Sequence, residues 1–146
     1  MALLKPEEIA AYIDATYQKN PFVQVCDIKM EYAKCGEVAL SIELDDKHTN
    51  IYGAAHGGAL ATLMDTAMGV CGASVGARIV TLNLNVNYIS SIYFCDKAVA
   101  TATLVHKGMS TMVCDVVVKN GKGETVTTGT GTLFVIGKFE EIPEKW

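Results

Sequence analysis

The segment from residue 57 to residue 74 most constrains what this chain can fold into. Its sequence, GGALATLMDTAMGVCGAS, is apolar on nearly all sides and carries one charged residue, Asp65. A membrane span is disfavoured, because a carboxylate near the middle of a span would be costly. In a chain of 146 residues, a helix of this kind is more simply buried at the centre of one small domain.

Alternating apolar and polar residues predict strands around this helix. Pro6-Glu7-Glu8 opens a first helix at about 6–18, since proline and acids both favour the first helical turn. The predicted strands cover residues 22–33, 37–44, 81–89, 97–106, 109–119 and 124–136. The economical packing is an α+β fold, an antiparallel sheet wrapped around the long central helix. We predict a single domain over 1–146, with its core at about 20–136.

Charge and cysteine content narrow the class of protein. The net charge is −4 with one arginine, Arg78, which argues against a nucleic-acid partner because phosphates require a basic face. The five cysteines are an odd number with no C-x-x-C spacing, so neither a disulfide framework nor a metal site is indicated. The first residues lack a basic stretch followed by an apolar core, so we expect no signal peptide. We expect reduced, mostly buried cysteines and a cytoplasmic location.

The central helix carries two features that packing does not require. A buried carboxylate is costly, so an aspartate on a helix usually faces solvent or pairs with a lysine. The apolar neighbours of Asp65 leave little room for a solvated strip, which favours a carboxylate that is kept for chemistry. His56, Gly57 and Gly58 stand at the helix start, where free N–H groups and the helix dipole attract negative charge. Gly57 would let a ligand carbonyl approach its N–H, as in an oxyanion hole. Alternatively, the two glycines only permit a tight turn.

The spacing of these features predicts a dimer if they share one site. His56 and Asp65 are nine residues apart, so they point to opposite sides of the helix and lie roughly 13 Å apart along it. Two antiparallel copies of the helix would place each Asp65 near the helix start of the other copy. The chain would then form a symmetric dimer with two interfacial sites.

The motif around this helix resembles a known family. The stretch 50–58, NIYGAAHGG, followed by Asp65-Thr66, is similar to the N-x-x-G-x-x-H-G-G…D signature of hotdog-fold acyl-CoA thioesterases, with the PaaI-like (phenylacetic-acid-pathway type) branch most similar. The strand that begins at Thr81, TLNLNVNY, also resembles the strand that follows in that family. The similarity extends over about 20–136.

The resemblance implies a site for hydrolysis of an acyl-CoA thioester to free acid and CoA. The Gly57 N–H would polarise the thioester carbonyl, and Asn50 and His56 would orient the loop and the thioester. Asp65 of the other subunit would act as general base or nucleophile, while Thr81 would help to hold the attacking water. The resemblance implies homodimers, often paired into tetramers. It implies no cofactor beyond the coenzyme A of the substrate.

The resemblance also implies which residues contact the substrate. They are expected near the helix start, on the following strand and in the segment from His106 to Ser110: Gly58, Thr66, Asn83, Tyr88, Ser90, Ser91, His106, Lys107, Gly108, Met109 and Ser110.

Two departures from the family pattern bear on substrate binding. Asn83 stands where the family often has an acid, and residues 91–96 replace a Pro and Gly-Asp segment that borders the presumed coenzyme A channel. Lys97 and Lys107 are the lysines near that channel. Two alternatives remain from the sequence: a non-catalytic acyl-CoA-binding module, and an acyl-CoA dehydratase of the same fold that pairs an acid with a histidine.

Overall fold

Residues 2–146, which the computed structural model describes, form three α-helices, one short 3-10 helix and six strands. In chain order these are α1 (Pro6–Tyr17), α2 (Pro21–Val25), β1 (Lys29–Lys34), β2 (Glu37–Glu43), the 3-10 helix (Asp46–His48), α3 (Gly57–Ala73), β3 (Ala77–Tyr88), β4 (Lys97–Lys107), β5 (Thr111–Lys119) and β6 (Thr125–Lys138).

The strands form one antiparallel sheet whose order is β1-β2-β4-β5-β6-β3. The central helix α3 packs against this sheet, and Leu63, Met64 and Met68 are fully buried between the two layers. Glycines on β6 leave room for the methionines, since a Cβ at Gly129 would lie 2.6 Å from the Met64 Cε. The α+β prediction of a sheet around a long central helix is confirmed.

The prediction of a strand over residues 22–33 is wrong in its first half. Residues 21–25 form helix α2, whose first turn is capped by the Asn20 side chain, which accepts a 2.9 Å hydrogen bond from Phe22 N. Asn-Pro ends one helix, but an asparagine followed by proline is also a favourable start for the next. The strand therefore begins only at Lys29.

Strand β3 is longer than its alternation predicted, and it lies at the edge of the sheet. It begins at Ala77 rather than at Thr81, because Ile79 and Val80 already pair with β6. One long side of β3 has no neighbouring strand within residues 2–146.

The turn between α3 and β3 is fixed by a glycine and by the C-terminal segment. Gly76 has a φ of +76°, and a Cβ there would lie 2.7 Å from the carbonyl oxygen of Ile142. The Trp146 indole N–H donates to the Ser74 carbonyl at 2.6 Å in the same turn. The residues after β6 thus close this end of the helix.

We expect Gly76→Ala to lower the free energy of unfolding by about 2–4 kcal/mol, because a left-handed conformation and a backbone clash act together. Gly123→Ala is the matched control, since Gly123 has a φ of +80° but nothing within 4 Å of the added Cβ. The control should lose only about 1–2 kcal/mol. Urea denaturation at equal protein concentration measures both losses, and equal losses would contradict the clash with Ile142.

The five cysteines are free, but the expectation that most are buried is only partly met. Cys71 and Cys114 are buried, Cys26 and Cys35 are half-buried, and Cys95 is exposed. Hydrogen bonding to Cys114, and secondarily burial, raises the pKa of the Cys71 thiol. A thiol that stays protonated is a poor nucleophile, so Cys71 is a packing residue.

No helix within residues 2–146 is long and apolar enough to cross a membrane. The same residues contain no cluster of three or more His, Cys, Asp or Glu side chains that could hold a metal ion.

Candidate active site

The loop before α3 is folded around the side chain of Asn50. Its Oδ1 accepts hydrogen bonds from the N–H groups of Tyr52, at 2.9 Å, and of Ala54, at 3.2 Å. The Asn50 N–H in turn donates to the Ala54 carbonyl at 2.8 Å. This closed loop fixes where the chain enters the helix, so Asn50 shapes the loop that leads to the helix start.

His56 is the N-cap residue of α3. Its Nδ1 accepts a 2.8 Å hydrogen bond from the N–H of Gly58, which satisfies one of the free donors of the first turn. Within residues 2–146, the N–H of Gly57 has no hydrogen-bond acceptor. This donor lies at the positive end of a 17-residue helix, where a developing negative charge would be stabilised.

Tyr88, at the end of β3, covers Gly57. Its hydroxyl donates a 2.6 Å hydrogen bond to the Gly57 carbonyl, and a Cβ at Gly57 would lie 3.1 Å from the Tyr88 Cζ. A side chain at residue 57 would therefore crowd the Tyr88 ring. Sequence interpretation missed this contact, because the two residues are 31 positions apart.

Asp65 lies on an exposed strip of α3, contrary to the expectation that its apolar neighbours leave little room for one. The sheet covers only part of the helix, and Ala61, Thr62 and Gly69 continue the open strip with small side chains. One carboxylate oxygen, Oδ1, accepts a 2.6 Å hydrogen bond from the Thr81 hydroxyl. The structure therefore brings two predicted site residues, Asp65 and Thr81, into direct contact.

An open cleft of about 580 Å³ surrounds this pair. Thr66 lines it together with residues that the sequence interpretation had not linked to the site, among them Tyr17 and Phe22. Burial, and then the charge of Asp65, raises the pKa of Tyr17 to about 12. The Tyr17 phenol is therefore protonated at neutral pH. Tyr17 lies at the end of α1, and the sequence of that helix gives no sign of the cleft.

The remaining predicted substrate-binding residues lie in separate places. Gly58 lines a small cleft of about 250 Å³ that also includes His56, and Ser90 and Ser91 are exposed just after β3. Asn83 follows a β-bulge and pairs with Thr132, which turns it to the sheet face away from α3. The structure thus does not bring Asn83 to Asp65.

The segment from His106 to Ser110 comprises the last two residues of β4 and the turn to β5, at the far end of α3. Lys107, Gly108 and Met109 line a cleft of about 550 Å³ together with residues of the α3–β3 turn. This cleft and Gly57 lie at opposite ends of a helix that is roughly 25 Å long at about 1.5 Å per residue. One chain alone therefore does not bring the two halves of the predicted substrate site together.

Both lysines expected near coenzyme A already form ion pairs. The Lys107 ammonium lies 2.9 Å from Glu144, which also lies 3.6 Å from Lys138. Lys97 lies 2.5 Å from Glu31. The hydrogen bond from Lys107, and then its charge, lowers the pKa of Glu144. Surface pairs of this kind are worth at most about 1 kcal/mol, so an incoming phosphate could replace Glu144.

Gly57 and Asp65, the two residues with the clearest chemistry, are not linked within one chain. Asp65 accepts a hydrogen bond from Thr81, and the Gly57 carbonyl accepts one from Tyr88. The two contacts lie at separate positions along α3. An N–H donor that could polarise a carbonyl and a carboxylate that could activate water are thus both present but apart.

Comparisons with known proteins agree with this geometry. Residues 52–127 match the family model of the thioesterase superfamily, and the chain belongs to that superfamily. Human acyl-coenzyme A thioesterase 13 is 29% identical over 108 residues, which cover 72% of this chain and 77% of that protein.

Two solved structures show the same fold. The Escherichia coli PaaI protein from the phenylacetic acid degradation operon has a TM-score of 0.82 and 25% identity, covering 88% of this chain and 94% of that one. A hypothetical thioesterase protein from Streptococcus pneumoniae TIGR4, solved with coenzyme A, has a TM-score of 0.74 and 34% identity, covering 76% and 90%. The resemblance to PaaI-like hotdog thioesterases is confirmed, and the chain is an enzyme of the thioester hydrolase class.

Two further structures of the pneumococcal protein carry single alanine substitutions, one of an aspartate and one of a threonine. Those two positions are 16 residues apart. Asp65 and Thr81 have the same separation.

Proposed function

We propose that this enzyme hydrolyses acyl-CoA thioesters to the free acid and CoA, at sites shared between two copies of the chain. The observation that carries the proposal is the pair of groups on α3: the free N–H of Gly57 and the carboxylate of Asp65, oriented by Thr81. The named activity of human acyl-coenzyme A thioesterase 13 and the coenzyme A held by the pneumococcal protein support the substrate class.

The edge strand β3 supports a dimer. Its outer side has no neighbouring strand within residues 2–146, and Val80 and Leu82 on it are exposed. Unpaired edge strands with apolar side chains favour pairing with another chain. Two copies of β3 in antiparallel pairing would set the two α3 helices in opposite directions, and each Gly57 would approach the partner subunit's Asp65.

The same arrangement explains why the predicted coenzyme A residues are split. Antiparallel helices would bring the far end of one α3, with the segment from His106 to Ser110, towards the Gly57 end of the other. Ser90 and Ser91 would then flank the substrate from one chain and Lys107 from the second. Pairing of two such dimers into a tetramer is a further prediction, and we expect no cofactor beyond the coenzyme A moiety of the substrate.

The reaction follows from two groups acting on one thioester. The Gly57 N–H donates to the thioester carbonyl oxygen and stabilises the charge that develops on it. Asp65 of the partner subunit takes a proton from water, which attacks the carbonyl carbon; the carbon–sulfur bond breaks and the CoA thiolate takes up a proton. Direct attack by the Asp65 carboxylate, followed by hydrolysis of the anhydride, uses the same geometry.

Release of free CoA thiol from a panel of aromatic, medium-chain and long-chain acyl-CoAs tests the proposal. Turnover of at least one acyl-CoA, with no other reactant than water, is the expected result. Binding of acyl-CoA without thiol release would instead favour the non-catalytic module. Hydration or dehydration of the acyl chain would favour the dehydratase, which membership of the thioesterase superfamily already disfavours.

We expect Thr81→Val to lower kcat about tenfold, because the charge-assisted hydrogen bond that orients Asp65 is lost while the side-chain shape is kept. Thr81→Ser retains the hydroxyl and should recover most of that activity. Steady-state thiol release from the best acyl-CoA measures both variants. Wild-type kcat in Thr81→Val would show that the 2.6 Å bond to Asp65 has no catalytic use.

A further inference from the structure

Tyr88 reaches the first turn of α3 from a different element, the end of β3. Its hydroxyl donates a 2.6 Å hydrogen bond to the Gly57 carbonyl. The atoms of its ring edge are also close: a Cβ at Gly57 would lie 3.1 Å from Cζ and 3.2 Å from the hydroxyl oxygen. Tyr88 thus holds Gly57 by a hydrogen bond, and its ring occupies the space that a side chain at residue 57 would need.

The peptides on both sides of the Gly57 Cα are held in place. The peptide that joins Gly57 to Gly58 is held by two side chains, because the Tyr88 hydroxyl donates to its carbonyl and its N–H donates to His56 Nδ1. The Gly57 N–H belongs to the preceding peptide, whose carbonyl, that of His56, accepts from the N–H groups of Ala59 at 2.9 Å and Leu60 at 3.2 Å. The ends of helices fray, because the first turn lacks intrahelical partners, so such anchors decide how well the free N–H is oriented.

We propose that Tyr88 is a positioning residue, which holds the Gly57 N–H in the direction required by the thioester carbonyl. The inference rests on the proposed function, since it gives that N–H its catalytic use. Electrostatic catalysis requires donors that are held in place before the reaction. Tyr88 acts through Gly57, which is a different role from the coenzyme A contact that the family resemblance implies.

The kinetic test is Tyr88→Phe, which removes the hydroxyl and keeps the ring. We expect kcat to fall about tenfold with KM changed by less than about twofold. The same fall is expected with an acyl-N-acetylcysteamine thioester, which lacks the nucleotide of coenzyme A. Tyr32→Phe is the matched control: Tyr32 lies on β1, the edge strand opposite β3, and its hydroxyl donates a 2.7 Å hydrogen bond to Glu37, so kcat should not change.

Two measurements test the contact without any turnover. In the ¹⁵N–¹H spectrum of the substrate-free protein, Tyr88→Phe should shift the Gly57 amide resonance, whereas Tyr32→Phe should leave it in place. Gly57→Ala should lower the melting temperature in the Tyr88 protein, because the added Cβ meets the ring. The same substitution should lower it less in a Tyr88→Ala background.

The possible failures are distinct. A rise in KM limited to the full acyl-CoA, with kcat unchanged, would overturn the positioning role and leave Tyr88 as a coenzyme A contact. An unchanged Gly57 amide resonance in Tyr88→Phe would also overturn it. If the wild-type protein released no thiol from any thioester, the proposed function would fail instead, and the spectrum and melting temperatures would still decide whether Tyr88 orients Gly57.

Discussion

Asp65→Asn is expected to lower kcat on the best acyl-CoA by about 10²-fold or more, with little change in KM. Asparagine keeps the shape of the side chain, and its carbonyl can still accept the Thr81 hydroxyl, as Asp65 does at 2.6 Å. It cannot take a proton from water or form an anhydride. The loss would therefore report chemistry, and the melting temperature should stay close to that of the wild type.

The chain offers a matched control for this substitution. Asp115, on β5, is also exposed and accepts a 2.9 Å hydrogen bond from a threonine hydroxyl, that of Thr130. Asp115→Asn makes the same chemical change on the sheet face away from α3 and should leave kcat unchanged. An Asp65→Asn protein as active as Asp115→Asn would contradict the catalytic role of Asp65.

Gly57→Pro should lower kcat by about 10²–10³-fold, the loss typical for removing one oxyanion-hole donor. Proline has no N–H, yet it is favourable at the first position of a helix. The preceding residue, His56, is already extended, with φ −63° and ψ 133°, as proline requires of its neighbour. The substitution therefore removes the donor while the helix start can persist.

Gly57→Ala distinguishes the effect of losing the N–H donor from the effect of crowding against Tyr88. Alanine and proline both place a Cβ against the Tyr88 ring, at 3.1 Å from Cζ, but alanine retains the N–H. Thiol release by the two variants should differ by at least about tenfold, with proline the less active. Equal activities would mean that crowding against Tyr88, and not the lost N–H, causes the defect.

The local part of the site was predictable because it is encoded in short stretches. The helix start, with the free Gly57 N–H, depends on residues within a few positions of one another, and the same is true of the His56 cap, which the structure added. The central helix and most strands likewise follow from periodicity. The family signature added roles for Asn50 and Asp65, which the structure places at the loop and on the helix as the motif requires, while the roles themselves remain predictions.

The parts that sequence reasoning missed depend on tertiary contacts. Exposure of Asp65 results from how far the sheet wraps around α3, which no local pattern specifies. The contact of Tyr88 with Gly57 joins residues 31 positions apart. Helix α2 was missed because Asn20-Pro21 ends one helix and starts the next. Tyr17 lines the cleft because α1 packs beside α3.

The measurement that tests the central claim most directly is complementation between two inactive chains. Asp65→Asn and Gly57→Pro proteins, co-expressed with different affinity tags and purified through both, should yield the mixed dimers that the proposal requires. If each site combines Gly57 of one chain with Asp65 of the other, one of the two sites is intact, and about half of the wild-type activity should return. Mixed dimers as inactive as either parent would contradict a shared site and place both groups within one chain.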